Sequence, residues 1–155
     1  AALEEKLELF DKAEKEAMTA KLGLPPGAEQ TEVVHLFLAY CEKEQLDFTL
    51  AFRKLPELYS GQTDFFPQTT KLSAFIEQWK AHEPDVEQLN TVNPLIIPRN
   101  HQIERIIQSC YQGNDEPFFQ MLEAGKKPFE KNEAFAEFAM PLQENEVVRH
   151  TYCGT

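Results

Sequence analysis

The sequence has few of the residues from which nucleotide sites are built. Its six glycines stand singly, so neither a glycine-rich phosphate loop nor a dinucleotide-binding fingerprint is present. Protein-kinase signatures and the Gly-x-Ser-x-Gly setting of a hydrolase serine are also missing. These absences argue against nucleotide transfer or acyl transfer by this chain itself.

Cysteine and histidine are scarce as well. The three cysteines are far apart and odd in number, which indicates a reducing cytosol rather than a disulfide framework. His150 and Cys153 are the one close pair of potential metal ligands, and no second pair supports them. We therefore expect no metal site in this chain.

Basic residues and long apolar runs are few. Fifteen basic and 26 acidic residues give a net charge of −11, which argues against nucleic-acid partners because phosphates must be met by Lys and Arg. No apolar run approaches the roughly 18 residues of a membrane span, and no segment resembles a signal peptide. With 155 residues, 42% of them hydrophobic, the chain is nevertheless long and apolar enough to form a core.

Apolar residues recur at intervals of three and four along most of the chain, which predicts an all-α fold. We expect six to seven helices in an irregular orthogonal bundle. A helical body covers residues 1–125, and a C-terminal tail over 126–155 packs on it. The predicted helices cover 2–22, about 29–44, Asp47 to Pro56, Thr69 or Thr70 to near His82, Glu83-Pro84-Asp85 to Asn93, Asn100 to Gly113, and Asn114 or Asp115 to Gly125.

Capping residues and prolines set the predicted helix ends. Asp47 and Asn100 are predicted N-caps, and Pro84 is predicted at a first helical position. Pro56 is expected to open an ordered loop over 56–69. The Asn-Pro/Ile-Pro stretch at 93–98 is the one strand-like candidate, and because no second run pairs with it, an α/β fold is disfavoured.

The remaining polar candidates are expected to be structural. His35 lies in a dense apolar run and is predicted to be a hydrogen-bonded core histidine. His101 and Arg99 flank a helix start, where a structural role is favoured over catalysis. Cys41 and Cys110 continue apolar faces and are predicted to be buried and slow to react.

Four short motifs, taken in order, resemble the C-terminal part of the selenoprotein O family of kinase-like protein adenylyltransferases. The chain also starts without Met inside a helical pattern, which suggests a piece of a longer protein. The motifs are Met18-Thr19-Ala20-Lys21-Leu22-Gly23-Leu24, Asp47-Phe48-Thr49 with Phe52-Arg53, Asn93-Pro94 followed by Pro98-Arg99-Asn100-His101, and Tyr152-Cys153-Gly154-Thr155.

The resemblance implies a parent enzyme that transfers AMP from ATP, with Mg or Mn, to Ser, Thr or Tyr of protein substrates. Its kinase-like lobe is absent from this chain, so no catalytic or cofactor-binding residue carries over. This chain would be a non-catalytic helical domain, resembling the C-terminal helical part of a kinase-like protein, that packs on that lobe in a cytoplasmic, bacterial parent.

One residue does carry over from the resemblance. Cys153 falls where animal members have selenocysteine, and the resemblance implies a redox-regulatory disulfide between it and the catalytic part. This chain ends in Cys-Gly-Thr, whereas other members end in Cys-Ser-Ser-like tails. From the residues alone, an accessible thiol near the C-terminus is equally consistent with an ordinary surface cysteine.

A second hypothesis stays open at this point. An independent helical module could bind a basic protein partner through its acidic surface. The missing start Met and missing phosphate chemistry favour the adenylyltransferase part, whereas only the charge favours the module.

Overall fold

A computed structural model describes residues 2–142, and within that range the side chains other than those of 2–5, 7 and 28. This part of the chain contains eight α-helices, one 3₁₀ helix and no strand, and seven of the nine have at least seven residues. The prediction of an all-α fold is confirmed. The elements are α1 Ala2–Lys21, α2 Ala28–Lys43, α3 Phe48–Arg53, α4 Leu55–Tyr59, α5 Thr70–Ala81, α6 Val86–Val92, α7 Asn100–Tyr111, α8 Glu116–Gly125 and the 3₁₀ helix Glu133–Ala139.

The chain divides into two compact units, residues 1–93 and 94–155. The first unit holds α1 to α6, and the second holds α7, α8 and the 3₁₀ helix. The helix pattern of the sequence predicts no boundary between residues 93 and 94. The predicted body over 1–125 and packed tail over 126–155 stay a prediction, because much of that tail lies outside the described residues.

The core of the first unit forms where α2 packs against α5. Apolar residues of α2 are buried at spacings of one, three and four, which place them on one face of a helix. The Phe37 ring lies 4.7 Å from that of Phe75 and 5.0 Å from that of Phe52, measured between centroids. Each fully buried ring of this kind stabilises the fold by about 1.5–3 kcal/mol. The buried α2 residues are Val33, Val34, Phe37, Tyr40 and Cys41.

Side-chain caps begin three helices of this unit. Asp47 Oδ1 accepts a hydrogen bond from the Leu50 amide at 2.9 Å, which confirms the predicted cap of α3. Thr69, rather than Thr70, caps α5 through the Leu72 amide at 3.3 Å. Asp85 Oδ1 accepts from the Gln88 amide at 3.2 Å and begins α6.

Three predicted helix ends are wrong. Asn100 is the first residue of α7 rather than its cap, because the extended backbone already ends at Arg99. Pro84 precedes the Asp85 cap and lies outside α6. Pro56 does not open a loop, because it occupies the first turn of α4, where its missing N–H has no helical partner to lose.

The outer part of α1 makes little contact with the rest of the unit. Residues 8–17 are all exposed, and Phe10 is 72% exposed although the sequence predicts it in the apolar stripe. Packing starts near the end of the helix, where Met18 contacts the core and Thr19 is buried. The helix is therefore predicted correctly, but its burial is not.

The second unit has a small core of Ile96, Ile106, Ala124 and Phe138. The sequence predicts Ile103, Ile106, Ile107 and Cys110 on the inner face of α7, but Ile106 is the one among them that is buried. On α8 the predicted inner residues Phe118, Phe119 and Leu122 are exposed, Met121 is half-buried and Ala124 is buried.

No helix of the described part is both long and apolar enough to cross a membrane.

Candidate functional site

Three of the four motifs meet at one buried residue, Asn93. Its side-chain Nδ2 donates to the Lys21 carbonyl at 2.8 Å, and the Lys21 ammonium donates to its Oδ1 at 3.4 Å. Arg53 Nη1 donates to the carbonyls of Asn93 at 2.9 Å and of Asn90 at 2.8 Å. This motif junction ties the end of α1 to α3 and to the end of α6.

Lys21 is the unusual charge of the motif junction. Its ammonium lies 5.3 Å from the centre of the Phe52 ring, within the range of a cation–π contact. Partial burial lowers the pKa of Lys21, because the charged form loses hydration. Burial likewise lowers the pKa of Arg53, which the nearby Glu57 carboxylate partly opposes. These side chains hold segments of the chain together, and they do not form a nucleophile–base pair.

The first motif also contains a backbone position that requires glycine. Gly23 has a φ of +70°, and a Cβ atom there would lie 2.6 Å from the Asp85 carbonyl oxygen. The Asp85 amide donates to the Gly23 carbonyl at 2.8 Å, and the Trp79 indole donates to the Leu22 carbonyl at 2.7 Å. The motif therefore packs directly against α5 and the start of α6.

The histidine of the third motif lies in a buried polar cluster of the second unit. His101 is buried, and its Nε2 lies 3.2 Å from Nε2 of Gln102. The Gln102 amide also donates to the Glu137 carbonyl at 3.1 Å, and the Glu137 carboxylate pairs with Arg105 at 2.8 Å. These contacts support the predicted structural role of His101. Gln102 was not expected in the core, and its sequence setting contains no signal for it.

His35 is exposed, so the prediction of a core histidine is wrong. The buried positions of α2 are 33, 34, 37, 40 and 41, and residue 35 falls on the opposite face of a helix with 3.6 residues per turn. The apolar run is dense enough to hide this face in the sequence.

The two cysteines in the described range differ in burial. Cys41 is buried, as predicted, and burial raises the pKa of its thiol to about 12. Cys110 is half-buried rather than buried, and desolvation followed by the nearby Asp115 raises its pKa. Both thiols are therefore poor nucleophiles at neutral pH. Cys153, the predicted redox residue, lies outside the described residues.

The second unit carries an apolar groove of about 600 Å³. Its walls are formed by the 94–98 segment, α8 and the turn that follows α8. Lys126 is the one charged residue among those that line it. The lining residues are Pro94, Ile96, Ile97, Pro98, Phe118, Met121, Leu122, Gly125, Lys126, Pro128 and Phe129.

Comparison with known proteins finds relatives that match nearly the whole chain. The chain is 35% identical to protein nucleotidyltransferase YdiU of Rhodopseudomonas palustris strain HaA2 over 94% of its length, which is 33% of that relative. It is 32% identical over 100% of its length to YdiU of Mycolicibacterium smegmatis, and 36% identical over 96% to YdiU of Ruegeria sp. strain TM1040. The chain is homologous to a part of the YdiU protein nucleotidyltransferases. The family resemblance drawn from the sequence is thereby confirmed.

The chain spans about a third of the length of these YdiU relatives. No family model matches it, and no solved structure matches it.

The described residues do not fit the ATP and divalent metal that YdiU homology implies for the parent enzyme. Among them, no three His, Cys, Asp or Glu side chains come together to hold a metal ion. Lys21 and Arg53 are engaged with backbone carbonyls, an amide oxygen and an aromatic ring. Both cations are therefore occupied by contacts within the chain.

Proposed function

We propose that this chain is the C-terminal, non-catalytic helical part of a YdiU-family protein nucleotidyltransferase. The parent enzyme transfers AMP from ATP to Ser, Thr or Tyr hydroxyls of protein substrates. The observation that carries this proposal is homology over almost the whole chain to only a third of the relatives' length.

The chemistry of the described residues supports a non-catalytic role. The first three motifs supply packing contacts, such as the Asn93 amide and the Gly23 turn, rather than reactive groups. ATP and its Mg or Mn ion bind residues of the parent that lie outside this chain. The partners are the kinase-like lobe of the same parent chain and its protein substrates. With a net charge of −11, the chain is not a nucleic-acid partner.

The redox part of the proposal concerns Cys153. Disulfide exchange needs an accessible thiolate, and the raised pKa values of Cys41 and Cys110 make these two thiols poor competitors. Oxidation joins the Cys153 sulfur to a cysteine sulfur of the catalytic part. Two thiols give up two protons and two electrons, and hydrogen peroxide accepts them and becomes two molecules of water.

The transfer activity is tested with ATP labelled at its α-phosphate. Full-length parent and this chain alone are each incubated with Mg²⁺ or Mn²⁺ and an acceptor protein. We expect label on the acceptor with the parent and none with the chain alone. Labelling by the chain alone would contradict its non-catalytic role. If a correctly folded parent does not label the acceptor, the proposed adenylyltransferase activity is refuted.

The redox role is tested in the full-length parent with Cys153→Ser and, as a matched control, Cys110→Ser. After peroxide treatment, the parent and Cys110→Ser are expected to migrate faster on a non-reducing gel than after reduction. Cys153→Ser is expected to lose this shift and the accompanying change in transfer rate. If it keeps both, Cys153 is an ordinary surface cysteine.

A further inference from the structure

The apolar groove of the second unit is already formed in this chain. The amides of Leu95 and Ile96 both donate to the Pro128 carbonyl, at 2.8 and 3.1 Å, which fixes one wall against the turn after α8. Pro94 and Pro98 stiffen the same wall, because each proline restricts its own backbone and that of the preceding residue. An occupant would therefore meet a surface that needs little ordering, which lowers the cost of binding.

The second unit also exposes more large apolar side chains than it buries. Its buried apolar core has four residues, whereas nine large apolar residues of the described 94–142 range are exposed. A small unit with so few buried residues gains stability when a further surface covers it. The exposed residues are Ile103, Ile107, Tyr111, Phe118, Phe119, Leu122, Phe129, Met140 and Leu142.

We infer that the groove binds an apolar segment from the part of the YdiU-family parent that this chain does not cover. This inference rests on the proposed function, because it needs a longer parent chain. Relatives are about three times as long as the match, so the missing part is joined to this one and is present at a high effective concentration.

Two other occupants fit the groove less well. A second copy would bring together two chains that each carry a net charge of −11, and like net charges of this size oppose self-association. Residues 143–155 are mostly polar, and Val147, Val148 and Tyr152 are their large apolar side chains. Lys126 is the one charged residue that lines the groove, so a segment with a longer run of apolar side chains than residues 143–155 fits it better.

The test places a photoreactive side chain in the groove of the full-length parent. Phe118→p-benzoylphenylalanine keeps an aromatic ring at a position that is 49% exposed, so the fold is expected to tolerate it. The matched control is Phe119→p-benzoylphenylalanine, on the same helix and 59% exposed but outside the groove lining. After illumination, cross-linked peptides are mapped by mass spectrometry.

We expect the probe at 118 to cross-link within the same molecule to apolar residues outside the region matched by this chain. The probe at 119 is expected to give at most about a tenth of that yield. Cross-links from 118 to residues 143–155, cross-links between two molecules, or no cross-link at all would each overturn the inference.

A second variant tests whether the groove itself is needed. Adding Leu122→Asp to the probe at 118 places a carboxylate in the groove wall, and its burial by an apolar partner is costly. We expect the cross-link yield to fall about tenfold. An unchanged yield overturns the inference. Cross-linking does not depend on AMP transfer, so a parent that cross-links as expected but transfers no AMP refutes the proposed activity alone.

Discussion

The buried side chain of Asn93 is expected to contribute measurably to the stability of the first unit. Asn93→Ala removes the donor to the Lys21 carbonyl and leaves that carbonyl without its 2.8 Å partner. We expect a loss of about 1–3 kcal/mol in the free energy of unfolding. Urea unfolding followed by Trp79 fluorescence measures it. Asn90→Ala is the matched control, because Asn90 is exposed and accepts the Arg53 hydrogen bond through its backbone carbonyl, which the substitution keeps. Equal losses of unfolding free energy in the two variants would refute the role of the Asn93 amide.

Gly23 is a second residue whose replacement has a defined cost. Gly23→Ala and Gly61→Ala both place a side chain on left-handed backbone, with φ of +70° and +89°, which costs about 1–2 kcal/mol. At Gly23 the new Cβ also meets the Asp85 carbonyl oxygen at 2.6 Å, whereas at Gly61 it meets open space. Thermal unfolding should therefore show a larger loss for Gly23→Ala. A loss no larger than that of Gly61→Ala would contradict the close approach.

Cys41 should resist alkylation at pH values where ordinary thiols react. With a pKa of about 12, only about one thiol in a thousand is ionised at pH 9. We expect iodoacetamide to label Cys41 slowly from pH 7 to 9 in the folded chain and quickly in guanidinium chloride. Because the folded pKa lies above the ordinary value, this thiol's contribution to stability falls as the pH rises from 9.0 to about 12. Rapid labelling in the folded chain would contradict its burial.

Among the elements, α6 offers a test of capping. Asp85→Ala removes an acceptor for the Gln88 amide, and loss of an N-cap costs about 0.5–2 kcal/mol. Asp115→Ala is the matched control, because the Asp115 side chain precedes α8 without accepting a hydrogen bond from a backbone amide of that helix. The helical signal in circular dichroism during urea unfolding should shift to lower urea for Asp85→Ala and little for Asp115→Ala. Equal shifts would show that the cap contributes nothing.

Helix positions were predictable because periodicity and turn residues act locally. The end of α5 near His82 and the end of α8 at Gly125 follow the sequence pattern closely. Burial was less predictable, because spacing identifies an apolar face without saying what covers it. The α2 face is covered by α5, whereas Phe118 and Leu122 of α8 remain exposed.

The motif junction was not predictable from sequence, although its residues were. Lys21 and Asn93 are 72 positions apart and meet through long-range packing. Neither capping rules nor periodicity pair two such residues. The four motifs are recognisable as short sequence segments in a fixed order. The fold shows in addition that residues of the first two motifs both bind Asn93 of the third.

At the scale of the whole molecule, the two units should unfold separately. The single tryptophan, Trp79, lies in the first unit against Phe75, with ring centroids 5.4 Å apart. Its fluorescence therefore reports the first unit, whereas circular dichroism reports helices of both. Since the second unit has the smaller core, we expect the helical signal to begin falling at lower urea than the fluorescence changes. Coincident transitions would show that the two units unfold as one.

The hydrogen bonds to the Pro128 carbonyl define a stretch of the second unit that can be exchanged between homologous proteins. Because the amides of Leu95 and Ile96 meet it, the intervening stretch, with α7 and α8, leaves and returns at one point of the backbone. A stretch whose ends meet can be exchanged between homologous proteins as a cassette, without lengthening or redirecting the flanking connections. Chimeras of YdiU relatives joined at these two positions would therefore keep the chain path of the second unit while replacing most of its surface.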